Sequence, residues 1–244
     1  MIRSMDYLVV IPARYQSSRL PGKPLINICG IPMVVRTYQQ CVKTVDPSLV
    51  VVATDDDRIR VVCESEGITT VMTSSNCLTG TDRVAEVAAK FDADTYINVQ
   101  GDEPVFNPDD LRLLVEEAEK YPECVINGYC IINNEEQFRS PNIPKVVVRP
   151  DGRLLYMSRA AVPTNKVLEF TGGNRQVCAY AFPKGALELF SKTSRKTELE
   201  AIEDIEILRF LELGYEVRMI KMSDSSMSVD NPEDVESVEK VLLN

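Results

Sequence analysis

The chain of 244 residues can bury the core of one large α/β domain or two small ones, and its net charge of −10 argues against a nucleic-acid or anionic-membrane surface, where a basic face is expected. It contains no histidine, which removes Ser-His and Cys-His nucleophilic catalysis and imidazole metal sites together, leaving carboxylates, Arg, Lys, amides, hydroxyls or a bound metal to carry any chemistry. The seven cysteines are odd in number and never form C-x-x-C, so reduced, mostly structural thiols are expected; with no apolar signal region and no run approaching a membrane span, the expected location is cytoplasmic.

Short β-branched runs alternate with segments of helical period, which predicts βαβ units, a largely parallel sheet and one domain over residues 1–244. The first predicted strand, Tyr7–Ile11, runs into a loop carrying Arg14, Arg19 and Lys23 and no acid. Such a loop suits phosphates: Arg offers a planar fork of donors and Lys a compact charge on a flexible stem. Gly22 permits close backbone approach, and Pro12, Pro21 and Pro24 stiffen the loop. Neither the Walker motif nor the dinucleotide glycine fingerprint is present, and a solvated basic turn is the plain alternative.

Predicted helices follow at Met33–Val42, Asp57–Glu66 and Thr81–Phe91, interleaved with strands at Leu49–Ala53, Thr69–Met72 and Thr95–Val99. The last strand delivers Gln100-Gly101-Asp102-Glu103 to its C-terminal end, where open α/β sheets bind ligands and where a carboxylate can hold Mg²⁺ beside substrate phosphates. Two smaller clusters, Ala53-Thr54-Asp55-Asp56 and Thr79-Gly80-Thr81-Asp82-Arg83, have helix capping as their plain reading. Asn107 and Pro108 open a helix at Pro108–Lys120. Beyond residue 122 the rhythm turns strand-rich, with strands at Cys124–Ile132, Lys145–Val148, Leu154–Met157 and Val177–Phe182, an antiparallel or mixed region. Thr164–Arg175 is the expected mobile loop. A helix at Leu199–Leu213, a strand at Glu216–Met222 and a helix at Pro232–Leu243 complete the chain; Asp230 before the last helix is either its cap or a second metal carboxylate.

Seven ordered blocks carry a resemblance: IPARYxSSRLPGKPL at 11–25, ATDD at 53–56, GTDR at 80–83, INVQGDEP at 97–104, KVV with LYMSRAAVP at 145–163, LExIExxExLR at 199–209 and VDNPEDVE at 229–236. In these, nearly the whole chain resembles the CMP-Kdo synthetases (3-deoxy-manno-octulosonate cytidylyltransferases). The resemblance implies a GT-A-like, Rossmann-like nucleotidyltransferase fold with helices on both faces of the sheet and a strand-rich acceptor and dimerisation subregion at about 124–200. It implies transfer of CMP from CTP to a 2-keto-3-deoxy sugar acid with Mg²⁺, in a homodimer, for lipopolysaccharide or surface-glycan synthesis. By that analogy Arg14, Lys23 and Asp102 are catalytic, and Pro12, Ala13, Arg19, Thr81 and Arg83 join them around the nucleotide. Asp102 and Asp230 match the metal carboxylates, and Gln100, Arg159, Gln176, Tyr180 and Glu206 match acceptor positions.

Departures gather on the acceptor side. The family usually reads His-x-Gly-(Ile)-Tyr where this chain has Gln176-Val177-Cys178-Ala179-Tyr180, and the segment before that strand is shorter here. Gln can hydrogen-bond like a neutral imidazole but cannot become cationic. Kdo, an amino-substituted octulosonate or another acidic sugar therefore stand open as acceptors, as do a different nucleotide and a non-catalytic nucleotide-binding homologue.

Overall fold

The strand β1 (Tyr7–Ala13) shows how the sheet is built: Leu8 and Val10 enter one apolar cluster, while Val9, Ile11 and Ala13 enter another on the opposite face. This period of two, with both faces apolar, is what a strand buried between helix layers requires. The computed structural model describes residues 6–17, 19–193 and 195–243; Ser18 of the basic loop lies outside them.

Three strands extend β1 in parallel on either side: β4 (Val50–Thr54), β5 (Thr70–Met72) and β6 (Thr95–Val99). Between β1 and β4 lie a short hairpin, β2 (Asn27–Ile28) and β3 (Ile31–Pro32), and the helix α1 (Met33–Cys41). The connections that follow are α2 (Asp57–Ser65) and α3 (Gly80–Ala88), and α4 (Pro108–Lys120) follows β6. Each begins where its cap dictates. Asp56 and Asn107 accept from N–H groups of the first turns of α2 and α4, and Thr79 and Asp82 form a capping box on α3.

The second half inverts one strand. β7 (Val125–Ile132) and β11 (Val217–Lys221) pair in parallel, but β10 (Gly173–Pro183) lies between β7 and β6 and runs against both, giving the order β11-β7-β10-β6-β1-β4-β5. A hairpin of β8 (Lys145–Val148) and β9 (Leu154–Ser158) branches from β10. The mixed region expected from the sequence is thus this inversion and its hairpin. α3, with α6 (Lys184–Ser191) and α8 (Ile207–Glu212), covers one face; α1, α2 and α4 cover the other. Among the described residues no helix is long and apolar enough to cross a membrane.

Three expectations change. The predicted helix Leu199–Leu213 is two helices, α7 (Glu198–Glu203) and α8, because Asp204 takes a left-handed conformation (φ 53°) that ends α7 and redirects the chain. Residues Gly173–Arg175, placed in the expected mobile loop, are the start of β10 and pair with Cys130–Ile132. The β2–β3 hairpin was not predicted, because its turn puts Cys29 (φ 45°) beside Gly30 (φ 80°), and cysteine carries no turn signal. Two further helices are the short α5 (Glu135–Arg139), capped by Asn134, and α9 (Pro232–Leu243) on the hairpin side, where Val238 packs with Ile28, Met33 and Val229.

Candidate active site

A cleft of about 840 Å³ opens at the C-terminal ends of β1 and β6, between the basic loop and the α7–α8 break. Its walls carry six cations, Arg14, Arg19, Lys23, Arg83, Arg159 and Lys196, against four carboxylates, Asp102, Asp204, Glu206 and Asp230. In a chain of net charge −10 this local excess of positive charge marks a site for an anion.

The floor is set by backbone approach. Gly101 N–H donates to Pro12 O at 3.3 Å, and a Cβ on Gly101 would lie 2.7 Å from that oxygen, so only glycine lets the turn after β6 seat against the end of β1. The basic loop folds back through Gly22 N–H to Tyr15 O (3.1 Å), with Gly22 left-handed at φ 69° and leading into a 3-10 turn, Lys23–Leu25. Val229 N–H then donates to Asp102 O at 2.9 Å, which draws the segment before α9 over the same turn.

These contacts bring together residues far apart in the chain. Lys23 Nζ lies 2.6 Å from Asp102 Oδ2 and 3.2 Å from Asp230 Oδ1, and Arg19 Nη2 reaches the same Asp230 oxygen at 2.9 Å. Burial alone would lower the Lys23 pKa, but the two carboxylates outweigh it and the net shift is upward, so the ammonium stays charged. Arg14 stands exposed on the rim, and Pro12 and Ala13 are buried in the wall beside it. Beneath them Glu103 is 5% exposed with Oε2 lacking any hydrogen-bond partner among the described residues; burial, then the neighbouring Asp102 charge, push its carboxyl up to about 8.

The opposite wall is built from α3, α8 and β10. Glu206, at the start of α8, accepts from Thr81 N–H at 2.9 Å and from the Thr81 hydroxyl, and burial raises its pKa against those bonds. Thr81, expected around the nucleotide, is fully buried with both its donors serving Glu206, while its neighbours Thr79 and Gly80 line the cleft. Gln100 lies over Gly80, where a Cβ would come within 2.9 Å of its Nε2. Arg83 lines the wall but is tied to Asp55 (3.1 Å) and to Thr73.

On β10 a bulge between Val177 and Tyr180 disturbs the pairing with β7, and Asn127 bridges it, its Nδ2 donating to Val177 O and Ala179 O at 2.9 Å each. Gln176 Nε2 donates to Asn127 Oδ1 (3.1 Å) and to the Tyr180 hydroxyl (3.2 Å), so these two acceptor candidates form one buried unit. The Arg159 fork, expected at an acceptor position, is directed at backbone carbonyls of Pro141 (3.0 Å) and Asp204 (2.9 Å) and at that of Glu203. It fastens the end of β9 to the α7–α8 break while still lining the cleft.

Sequence reasoning missed Asn127, Lys196 and Asp204, and it named Glu103 only as one acid of the turn after β6. Lys196 pairs with Asp204 across the cleft mouth and holds its carboxyl below the usual range. The basic run Lys192 to Lys196 was a legible signal for the former. Nothing local marks Asn127 as more than one polar residue in a strand.

The family model described as cytidylyltransferase matches residues 8–221. A 3-deoxy-manno-octulosonate cytidylyltransferase of Acidobacterium capsulatum is 37% identical over 241 residues, covering 98% of each chain. That of Escherichia coli is 34% identical over 235 residues, covering 96% of this chain and 95% of the relative. Among solved structures, a CMP:2-keto-3-deoxy-manno-octonic acid synthetase complexed with CTP superposes with a TM-score of 0.91 at 34% identity, covering 98% of both chains. A cytidylyltransferase from Leptospira borgpetersenii shares the fold at a TM-score of 0.67 and 16% identity, covering 98% of this chain and 87% of its own. By sequence over nearly its full length and by fold, this chain belongs to the 3-deoxy-manno-octulosonate cytidylyltransferase family.

Proposed function

We infer that the cleft transfers CMP from CTP to 3-deoxy-manno-octulosonate or a close 2-keto-3-deoxy sugar acid, releasing pyrophosphate and supplying an activated sugar for lipopolysaccharide. The observation that carries this reading is the meeting of Lys23, Asp102 and Asp230 at the mouth of a phosphate-suited loop, in a chain whose relative in this fold is complexed with CTP. In the reaction the acceptor's anomeric hydroxyl attacks the α-phosphorus in line, the bond to the bridging oxygen breaks, and pyrophosphate leaves. Arg14, Arg19 and Lys23 neutralise the triphosphate, and catalysis is chiefly positioning and electrostatics. Pro12 and Ala13 flank the nucleoside. Gln100, Gln176, Tyr180 and Glu206 form the acceptor floor, with Arg159 and Lys196 at its edge.

Mg²⁺ is the cofactor of this reading. No cluster of three or more metal-ligating side chains occurs among the described residues, but two carboxylates that converge on one cation fit a hard ion that completes its shell with water and phosphate oxygens. Asp102 and Asp230 would hold it, and it would supply charge stabilisation on the reacting phosphoryl group. Replacing either by Asn removes a charge at constant volume, so turnover should fall by roughly two orders of magnitude or more with folding retained. Pyrophosphate release, measured with each of four nucleotides against a panel of acidic sugars, is the assay. Near-wild-type turnover of both variants at saturating Mg²⁺ sinks the metal assignment, and preference for another nucleotide sinks CTP.

A homodimer through the strand-rich region belongs to the same proposal. The exposed apolar side chains Ile131, Leu155, Val167 and Leu168 all fall in that region and support it. Light scattering at micromolar concentration tests it, and a monomer refutes it. A reducing, cytoplasmic setting is supported by all seven cysteines being unpaired.

A further inference from the structure

We propose that Lys23 is a built-in counter-ion that takes the place of the divalent cation between Asp102 and Asp230, so that the metal gains its carboxylates only when nucleotide phosphates draw the ammonium away. The proposal rests on the metal reading given above and adds an order of events to it.

The carboxylates belong to the turn after β6 and to the junction before α9, and the two segments are joined by a backbone bond that does not involve the lysine, from Val229 N–H, next to Asp230, to Asp102 C=O. Two anions fixed this close repel, and the cation that offsets their charge is Lys23 Nζ, 2.6 Å from one and 3.2 Å from the other. The Lys23 and Asp102 side chains are 16% and 27% exposed, so water screens the pair only in part. Mg²⁺ needs carboxylate oxygens at about 2.0–2.1 Å, which an ammonium donating to the same oxygens does not allow. Lysine and metal therefore compete for one place. The two differ in freedom: Lys23 swings on a four-carbon stem, whereas the carboxylates are short and anchored. A triphosphate in the basic loop offers that ammonium a new partner, and also draws on Arg19, which holds Asp230 at 2.9 Å. Nucleotide and metal are then positively coupled through Lys23, in addition to any direct bond between them.

The test uses Mn²⁺ alone as the probe, followed by electron paramagnetic resonance of the free ion, with no nucleotide present. Wild type, Lys23→Met and Lys23→Gln are compared, each verified as folded by circular dichroism, together with Lys23→Met/Asp102→Asn. Removing the competing charge should tighten Mn²⁺ binding by about tenfold or more in both single variants, and the double variant should lose that gain. Thermal melting gives a second readout independent of turnover. Lys23→Met should melt below wild type and be restored by Mn²⁺, while wild type without nucleotide gains little. Equal Mn²⁺ affinity in wild type and both Lys23 variants overturns the proposal, as does tightening that survives in the double variant. Failure of the underlying metal reading is seen separately: wild type and Asp102→Asn would then capture Mn²⁺ equally well in the presence of CTP.

Discussion

Replacing Glu103 by Gln should flatten the pH dependence of stability in the range where histidine usually titrates. Glu103 lies in the turn beside Asp102, 5% exposed, with one carboxyl oxygen unpartnered, and burial followed by the Asp102 charge raises its pKa from 4.5 to about 8. A carboxyl whose pKa is higher folded than unfolded binds more protons in the native state between those values. Its stabilising share is complete below about 4.5, declines as pH rises, and is gone above about 8. At 1.36 kcal/mol per pH unit, that interval corresponds to a loss of up to roughly 5 kcal/mol, a large part of the stability of an ordinary domain. The usual competitor in this range is histidine, and the chain has none. Urea unfolding from pH 5 to 8.5 should therefore show wild type weakening steadily while Glu103→Gln, neutral at that position throughout, weakens less, its remaining slope carried by the buried Glu206, and becomes the more stable protein at the alkaline end. Parallel profiles for the two proteins would refute the reasoning, because they would mean that Glu103 ionises freely, reached by water or paired with Arg175.

Other outcomes follow from the site and its supports. Arg209 is fully buried with Glu200, which it grips through Nε and Nη2 at 2.5 and 2.6 Å, so Arg209→Met leaves that buried carboxylate with only its Thr197 cap and no counter-charge and should cost about 3–5 kcal/mol in chemical denaturation. Arg14 stands exposed on the rim, so Arg14→Ala should raise KM for CTP several-fold while leaving the melting temperature unchanged; unaltered CTP kinetics would return the loop to a plain basic turn. Gln176 donates to Asn127 and Tyr180, so Gln176→His should change kcat/KM for the sugar acid about tenfold or more with KM for CTP unmoved, and equal constants for both substrates would make the departure neutral drift.

Period and punctuation were legible in the sequence. The apolar run Tyr7–Ile11, the polar turn Thr79–Arg83 with its plain reading as a helix cap and the Asn107-Pro108 start each encode an element by local facts, and each appears in the structure, the strand running two residues further to Ala13. The motifs that carry the resemblance also identified the cleft, because Pro12, Ala13, Arg14, Lys23, Gln100, Asp102, Arg159, Gln176, Tyr180, Glu206 and Asp230 all line it.

What a side chain does inside that cleft was decided by contacts between distant segments. Period alone predicted one helix over Leu199–Leu213; the chain breaks at Asp204, where the Arg159 fork fastens the backbone and Lys196 holds the carboxylate. Thr81, which the resemblance assigns to the nucleotide, has its backbone donor turned to Glu206, a partner 125 residues away. The inverted β10 between β7 and β6 sets Gln176 beside Asn127, and no local pattern records which strand a strand will pair with. Local sequence determines which face of an element is apolar and where it starts and stops. Hydrogen bonds and ion pairs between remote residues depend on relative placement, which exists only once the sheet has assembled, and Lys23 between Asp102 and Asp230 is the clearest instance.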